Sequence, residues 1–177
     1  IFDALLGAAG SQLPLASNEG TALNGGANVI VASFTDGNPV APVGDFTAQV
    51  DYNDCGTVPY PHSVGPCGLV GASVVANGAA VGGQVCAAQF CVVGPPHTYI
   101  EAGNFPVLFV VNDKGGSELG TVASPASYVT ATIAEVPLAP GAIPATINGT
   151  EGVAFTHLVG NFTDQNTQAP LTDYTVT

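Results

Sequence analysis

"FTDGNPVAPVGDF" (residues 34–46) returns as "FTDQNTQAPLTDY" (residues 162–174), without a gap and at an offset of 128 (34 to 162). Phe34, Thr35, Asp36, Asn38, Ala41, Pro42 and Asp45 recur as Phe162, Thr163, Asp164, Asn166, Ala169, Pro170 and Asp173, and Phe46 is answered by Tyr174. Self-similarity at a fixed period marks a tandem array of one structural unit. "LPLAS" (13–17) is echoed by "VPLAP" (136–140), and Glu19-Gly20 by Glu151-Gly152. The first copy is longer from Glu-Gly to Phe-Thr-Asp, with 15 positions from 19 to 34 against 11 from 151 to 162. These edges divide the chain into an N-terminal segment (1–12), a full repeat (13–136) and the first third of a second repeat (137–177). The junction "PLAPGAIP" (137–144) is too short and proline-rich to be a floppy linker.

Inside the full repeat, 23 glycines and 14 prolines across the chain punctuate short runs of β-branched and aromatic residues. These runs are "NVIVASF" (28–34), "DFTAQVDY" (45–52), "GLVGASVV" (68–75), "GGQVCAAQF" (82–90), "FPVLFVV" (105–111) and "SYVTATIAEV" (127–136). Phe46, Ala48, Val50 and Tyr52 alternate with Thr47, Gln49 and Asp51, the period-2 pattern of a half-buried strand. Val129, Ala131 and Ile133 repeat the pattern, and Phe105, Val107, Phe109 and Val111 form one inward face of a central strand. Short strands at this spacing, separated by turn signals, predict an all-β sandwich. Helical periodicity is confined to a weak trace in residues 1–9.

"HTYIEAGNFPVLFVVNDKGGS" (97–117) adds a further pattern. His97-Thr98-Tyr99, then Glu101, Gly103, Phe105 and Val107, then Val111, Asp113, Gly115 and Gly116, resemble the late strands of PKD-type and related bacterial immunoglobulin-like repeats. The "SFTDGNP…DFTAQVDYNDCG" stretch is similar to the early strands of the same family. The resemblance implies an immunoglobulin-like (PKD-like) β-sandwich in a large secreted or surface protein. The family's Trp-Gly-Asp-Gly turn is replaced here by Tyr52-Asn53-Asp54-Cys55. On the residues alone, Gly103 suits a turn with positive φ, "NDKGG" supplies hairpin chemistry, and Tyr99 is placed to tie a corner through its hydroxyl.

Charge narrows the function classes. The 177 residues carry one basic side chain (Lys114) and 13 acidic ones, a net charge of −12. Such a chain neither neutralises phosphates nor adheres to an anionic membrane, so no nucleic-acid partner is expected. No apolar run approaches the roughly 20 residues of a membrane-spanning helix. "IFDALLGAAG" (1–10) lacks the basic start of a signal peptide and reads as a mature N-terminus or a cut from a longer chain. Charged residues make up 8% of the chain against about 25% in an ordinary soluble domain, which suits close packing against neighbours.

The four cysteines, Cys55, Cys67, Cys86 and Cys91, cluster in one stretch and predict two disulfides in an oxidising compartment. The local pairs Cys55–Cys67 and Cys86–Cys91 are preferred, because "CAAQFC" closes across a short hairpin. Zinc on Cys55, His62 and Cys67 is disfavoured, since the short C-x2-C knuckles of structural sites are missing. Asp51, Asp54 and Asp113 raise the question of Ca2+, which takes six to eight oxygens. No contiguous loop of ligands exists and solvated turn aspartates are the better reading, so neither metal nor cofactor is expected.

No catalytic constellation is apparent. His62, His97 and His157 are dispersed, no nucleophile lies beside a base, and there is almost no cation to stabilise an oxyanion. Lys114 sits in a glycine-flanked turn, unlike a buried crosslinking lysine. Asn148 and Asn161 head N-x-Thr sequons.

Two functions remain. The first is a non-enzymatic structural module of an extracellular fibre, filament or surface layer. In it Phe162, Tyr174 and Val176 of the incomplete copy recruit a strand, and the apolar segment with Ile1, Phe2, Leu5 and Leu6 of the next molecule supplies it. Such head-to-tail contacts do not close and generate filaments of the chain with itself or with adjacent repeats. The alternative is an adhesive or glycan-binding module of a cell-surface repeat protein, with Tyr52, Tyr60 and Phe90 as sugar platforms.

Overall fold

The computed structural model describes residues 3–10, 14–54, 68–121, 126–142 and 146–177. Strand makes up 44% of it and helix 7%, so the chain is all-β, as its alternation predicts. In chain order the strands of the first unit are β1 (Leu6–Gly10), β2 (Leu15–Asn18), β3 (Val29–Asp36), β4 (Phe46–Asp51), β5 (Val70–Ala76), β6 (Ala80–Val81), β7 (Gln84–Val85), β8 (Phe90–Gly94), β9 (Gly103–Asp113), β10 (Glu118–Leu119) and β11 (Ala126–Ala134). A curled sheet runs β1-β3-β8-β5-β4-β9-β11-β2, with β10 on β9 and a separate β6–β7 hairpin.

Curling occurs at β5. Its first half, Val70–Ala72, pairs with β4, and its second half, Ser73–Ala76, pairs with β8. A strand that changes partners midway folds one part of the sheet over the other. The apolar faces so enclosed form the core. Phe34 of β3, Phe46 of β4 and Phe90 of β8 meet at its centre, with ring centroids 4.6–5.3 Å apart. The alternation of β4 is realised, since Phe46, Ala48, Val50 and Tyr52 are all buried. Val107, Phe109 and Val111 of β9 and Val129, Ala131 and Ile133 of β11 are buried likewise, and Phe105 packs half-buried against the core.

Tyr99 uses its hydroxyl to tie two segments distant in the chain, not the local corner of a tyrosine-corner turn. Its ring is fully buried and its hydroxyl donates to the Tyr52 carbonyl oxygen at 2.9 Å. The Tyr52 hydroxyl in turn donates to the Pro95 carbonyl oxygen at 2.6 Å. Burial pushes both phenols well above their ordinary range. A buried hydroxyl is tolerated when it is bonded in this way.

Three further features differ from expectation. "GGQVCAAQF" (82–90) is not one strand. Gly82 and Gly83 both have positive φ and turn β6 into β7, and β8 starts only at Phe90. Cys86 and Cys91 form a disulfide that pins this excursion to the start of β8, while Cys55 and Cys67 lie outside the described residues. Second, Leu6–Gly10 belong to the sheet. Expected outside the repeat, they pair antiparallel with β3 (Leu6↔Asp36, Gly7↔Thr35, Ala8↔Phe34). Third, "LPLAS" and "VPLAP" are not structural counterparts. Leu15–Asn18 run parallel to β11 at the far edge of the sheet, whereas Ala139–Pro140 (β12) pair with Phe162–Thr163 (β13) as Ala139↔Thr163 and Pro140↔Phe162. That register repeats the one between β1 and β3. Gly7 and Ala8 are therefore the counterparts of Ala139 and Pro140, and Asp3 is the counterpart of Glu135.

Candidate functional site

The second copy forms its turn before it forms a core. In the first copy, Asp36 Oδ1 accepts the Asn38 N–H at 2.7 Å, Asn38 Oδ1 accepts the Val40 N–H at 3.2 Å, and the Asn38 carbonyl accepts the Ala41 N–H at 3.2 Å. In the second, Asp164 takes the Asn166 N–H at 2.7 Å, Asn166 Oδ1 takes the Gln168 N–H at 3.1 Å, and the Asn166 carbonyl takes the Ala169 N–H at 3.1 Å. A 3-10 turn follows in each, Val43–Asp45 and Leu171–Asp173. Asp and Asn side chains that cap their own backbone make this turn a local, sequence-coded unit.

Asn166 connects the two copies. It is one of the few polar residues buried in the molecule, and its Nδ2 donates to the Ile100 carbonyl oxygen of the first repeat at 2.6 Å. It lies over Gly20, where an added Cβ would sit 2.6 Å from Asn166 Oδ1. Gly20 has φ +66°, a left-handed conformation that also disfavours a side chain there. The Gly20 N–H donates to the Tyr99 carbonyl, so the Tyr99 tie and the junction share one backbone segment.

Carboxylates surround the lock. Glu19, Glu101 and Glu135 of the first repeat and Asp164 and Asp173 of the second line a pocket of about 340 Å3. Glu19 is buried and accepts the Ala102 and Val136 N–H groups through its two oxygens. Desolvation first, then Asp173 and Glu19, push the Glu101 carboxyl above its ordinary range. Glu19 first, then desolvation and Asp164, do the same to Glu135. The hydrogen bond that Tyr174 donates to Asp164 at 2.6 Å pushes its phenol up to about 12. The share of the Glu101 and Glu135 shifts that comes from Asp164 and Asp173 arises on docking, so each carboxyl binds its proton more tightly docked than free. Its contribution is complete below the ordinary Glu value of about 4.3 and is lost as pH rises through the raised one. The junction is therefore expected to tighten on acidification from pH 7 to pH 4, and added salt at pH 7 should mimic part of the effect. Hydrogen exchange at Gly20 and Ala102 checks this, with slower exchange expected at the lower pH once intrinsic rates are corrected.

The expected strand-recruiting face is open. Phe162 and Tyr174 pack at 5.0 Å, as Phe34 and Phe46 do at 5.2 Å. Phe34 is fully buried beneath Phe90, whereas Phe162 is 45% exposed. Leu138, Phe162, Tyr174 and Val176 line an open pocket of about 490 Å3, and Phe155, Leu158, Val159 and Val176 are exposed as well. Of the proposed donor segment, Leu5 is exposed while Leu6 is packed against its own core. Ile1 and Phe2 lie outside the described residues.

Other sequence candidates are dispersed. Asp113 pairs with Phe46 and Asp51 with Leu108, at opposite ends of the β4–β9 ladder. Asp54 instead holds His97 Nε2 at 2.9 Å, with the imidazole stacked on Tyr52 at 4.1 Å. His157 is exposed, and His62 and Tyr60 lie outside the described residues. Among the described residues no His, Cys, Asp and Glu group is arranged to hold a metal, and no helix is long and apolar enough to cross a membrane. Tyr52 and Phe90 are core residues, which removes two of the three aromatics suggested as sugar platforms. Asn148 and Asn161 are both exposed. Lys114 is exposed and lies 3.6 Å from Asp45, a surface pair worth little by itself. Asn166 was legible only as part of the repeat, because its partner is a backbone carbonyl that no motif marks. The chain matches no family model, no curated protein and no solved structure in the comparisons made.

Proposed function

We propose that the chain is a non-enzymatic structural module of an extracellular fibre, filament or surface layer, built from immunoglobulin-like, PKD-like repeats docked end to end. Its partners are copies of itself or adjacent repeats, and added β-strands complete the open unit. One observation carries the reading: Phe162 and Tyr174 pair at nearly the centroid distance of Phe34 and Phe46, though tilted rather than edge-on, and lack the Phe90 ring that covers the first pair. Two short strands cannot stand alone in water, and an open edge with an apolar face recruits strands. The place to be filled is that of β8 and β9. A neighbour could supply its own residues 1–10 only by exchanging β1, which is paired with β3. The Cys86–Cys91 bridge suits an oxidising, extracellular setting, and the scarcity of charge lowers repulsion between packed copies.

The test compares the full chain with one truncated after Val136. Every buried apolar residue described lies between Leu15 and Val136, so the truncated chain retains its core. Sedimentation velocity should show concentration-dependent association of the full chain and a folded monomer for the truncated one. A full chain that stays monomeric throughout, or equal association of both, would sink the proposal.

A further inference from the structure

We infer that the Asn38 turn of the first repeat is itself a docking surface, and that its partner is the Gly20–Ile100 end of a further copy of this repeat placed directly ahead of Asp3. The inference rests on the stacked-repeat reading and adds to it a second junction and the side chain that locks it.

The molecule contains one such junction in its closed state. There the lock needs three things: an Asn whose Oδ1 and backbone are committed to its own turn, a left-handed glycine with no Cβ, and a carbonyl that accepts the Asn Nδ2. Asn166, Gly20 and Ile100 supply them. Asn38 is held in the same turn as Asn166, through the same backbone positions and with bond lengths that agree within about 0.1 Å. Yet Asn38 is exposed, and its Nδ2 has no partner among the described residues. A donor fixed by its own turn and aimed outward is pre-organised for an acceptor.

The approach geometry matches as well. β1 meets β3 in the register in which β12 meets β13, so Asp3 enters the first repeat where Glu135 enters the second. Asp3 also lines the pocket beside Asn38, as Glu135 lines the one beside Asp164. A repeat ending at Ala134 and running straight into Asp3 would place the Ala4 N–H where the Val136 N–H now bonds Glu19. The other half of the lock recurs too. Gly152, the counterpart of Gly20, has φ +76° and nothing within 4 Å of the position of a Cβ. The Asn of the lock thus recurs in the first copy and its glycine in the second.

The test is a tandem chain in which residues 3–134 run directly into Asp3 of the full sequence, with spin-label pairs across each junction. Asn38→Asp and Asn166→Asp are compared, because aspartate keeps the Oδ1 that caps the turn and replaces the outward donor with a charged acceptor. The inference expects one narrow distance distribution at each junction. Asn38→Asp should broaden the upstream one alone, and Asn166→Asp the downstream one alone. An unchanged melting midpoint for the single chain carrying Asn38→Asp separates lost docking from misfolding. A broad upstream junction beside a narrow downstream one overturns the inference and leaves the stacked-repeat reading standing. Two broad junctions overturn both.

Discussion

Phe34→Ala will cost the fold about 3–5 kcal/mol, the range for deleting a buried phenylalanine, whereas Phe162→Ala will cost less than about 1 kcal/mol. The two residues hold the same place in the same motif. Phe34 is fully buried between Phe46 and Phe90, so its removal leaves a cavity that three strands of a curled sheet cannot collapse to fill. Phe162 packs beside the Tyr174 ring and is 45% exposed. Urea denaturation of the two variants measures the difference. Equal losses would mean that the second copy already has a core of its own. The self-association expected of the full chain should respond in the opposite sense, with Phe162→Ala weakening it.

Gly20→Ala will open the junction while leaving the first repeat folded. The left-handed backbone at φ +66° costs an alanine about 1–2 kcal/mol. The new methyl would also lie 2.6 Å from Asn166 Oδ1 and 3.2 Å from the Asn166 Cα. The closest atom is the Oδ1 that the Asn166 turn holds in place, so the side chain can swing clear only by giving up its bonds to Gln168 and to the Ile100 carbonyl, and the 3.2 Å backbone contact needs a further small shift. Asn166→Asp reaches the same end by another route. It removes the donor to Ile100 and adds a carboxylate among Glu19, Glu101 and Glu135. Losing a buried hydrogen bond and leaving its acceptor unsatisfied costs about 1–3 kcal/mol of docking. Hydrogen exchange should show faster exchange at the second-copy turn in both variants, with β4, β9 and β11 still protected. Protection of Gln168 and Ala169 at the original level would show that the docking does not depend on the lock.

Alternation alone was enough to read β4, β9 and β11, because a strand with one face in the core writes its burial into every second residue. The Cys86–Cys91 bridge was legible because its partners lie five residues apart in the chain, whereas the Tyr52 carbonyl that Tyr99 reaches lies 47 residues away. Repetition of the Phe-Thr-Asp motif marked the matching turns at Asn38 and Asn166, since an Asx-capped turn is coded within a few residues. What needed the tertiary structure was every decision between distant segments. Val70–Ala76 carries no mark that it changes partners midway, and Leu6–Gly10 joins β3 through backbone bonds that its small side chains do not announce. Alternation already set Tyr52 on the inward face of β4, but that Phe90 closes over Phe34 and Phe46 shows only once the sheet curls. The five carboxylates of the junction come from separate stretches of chain and meet only because one repeat is seated on the next. Asn166 finds a carbonyl, and backbone acceptors are alike at every residue; which one it reaches is fixed by packing, through the absence of a side chain at Gly20.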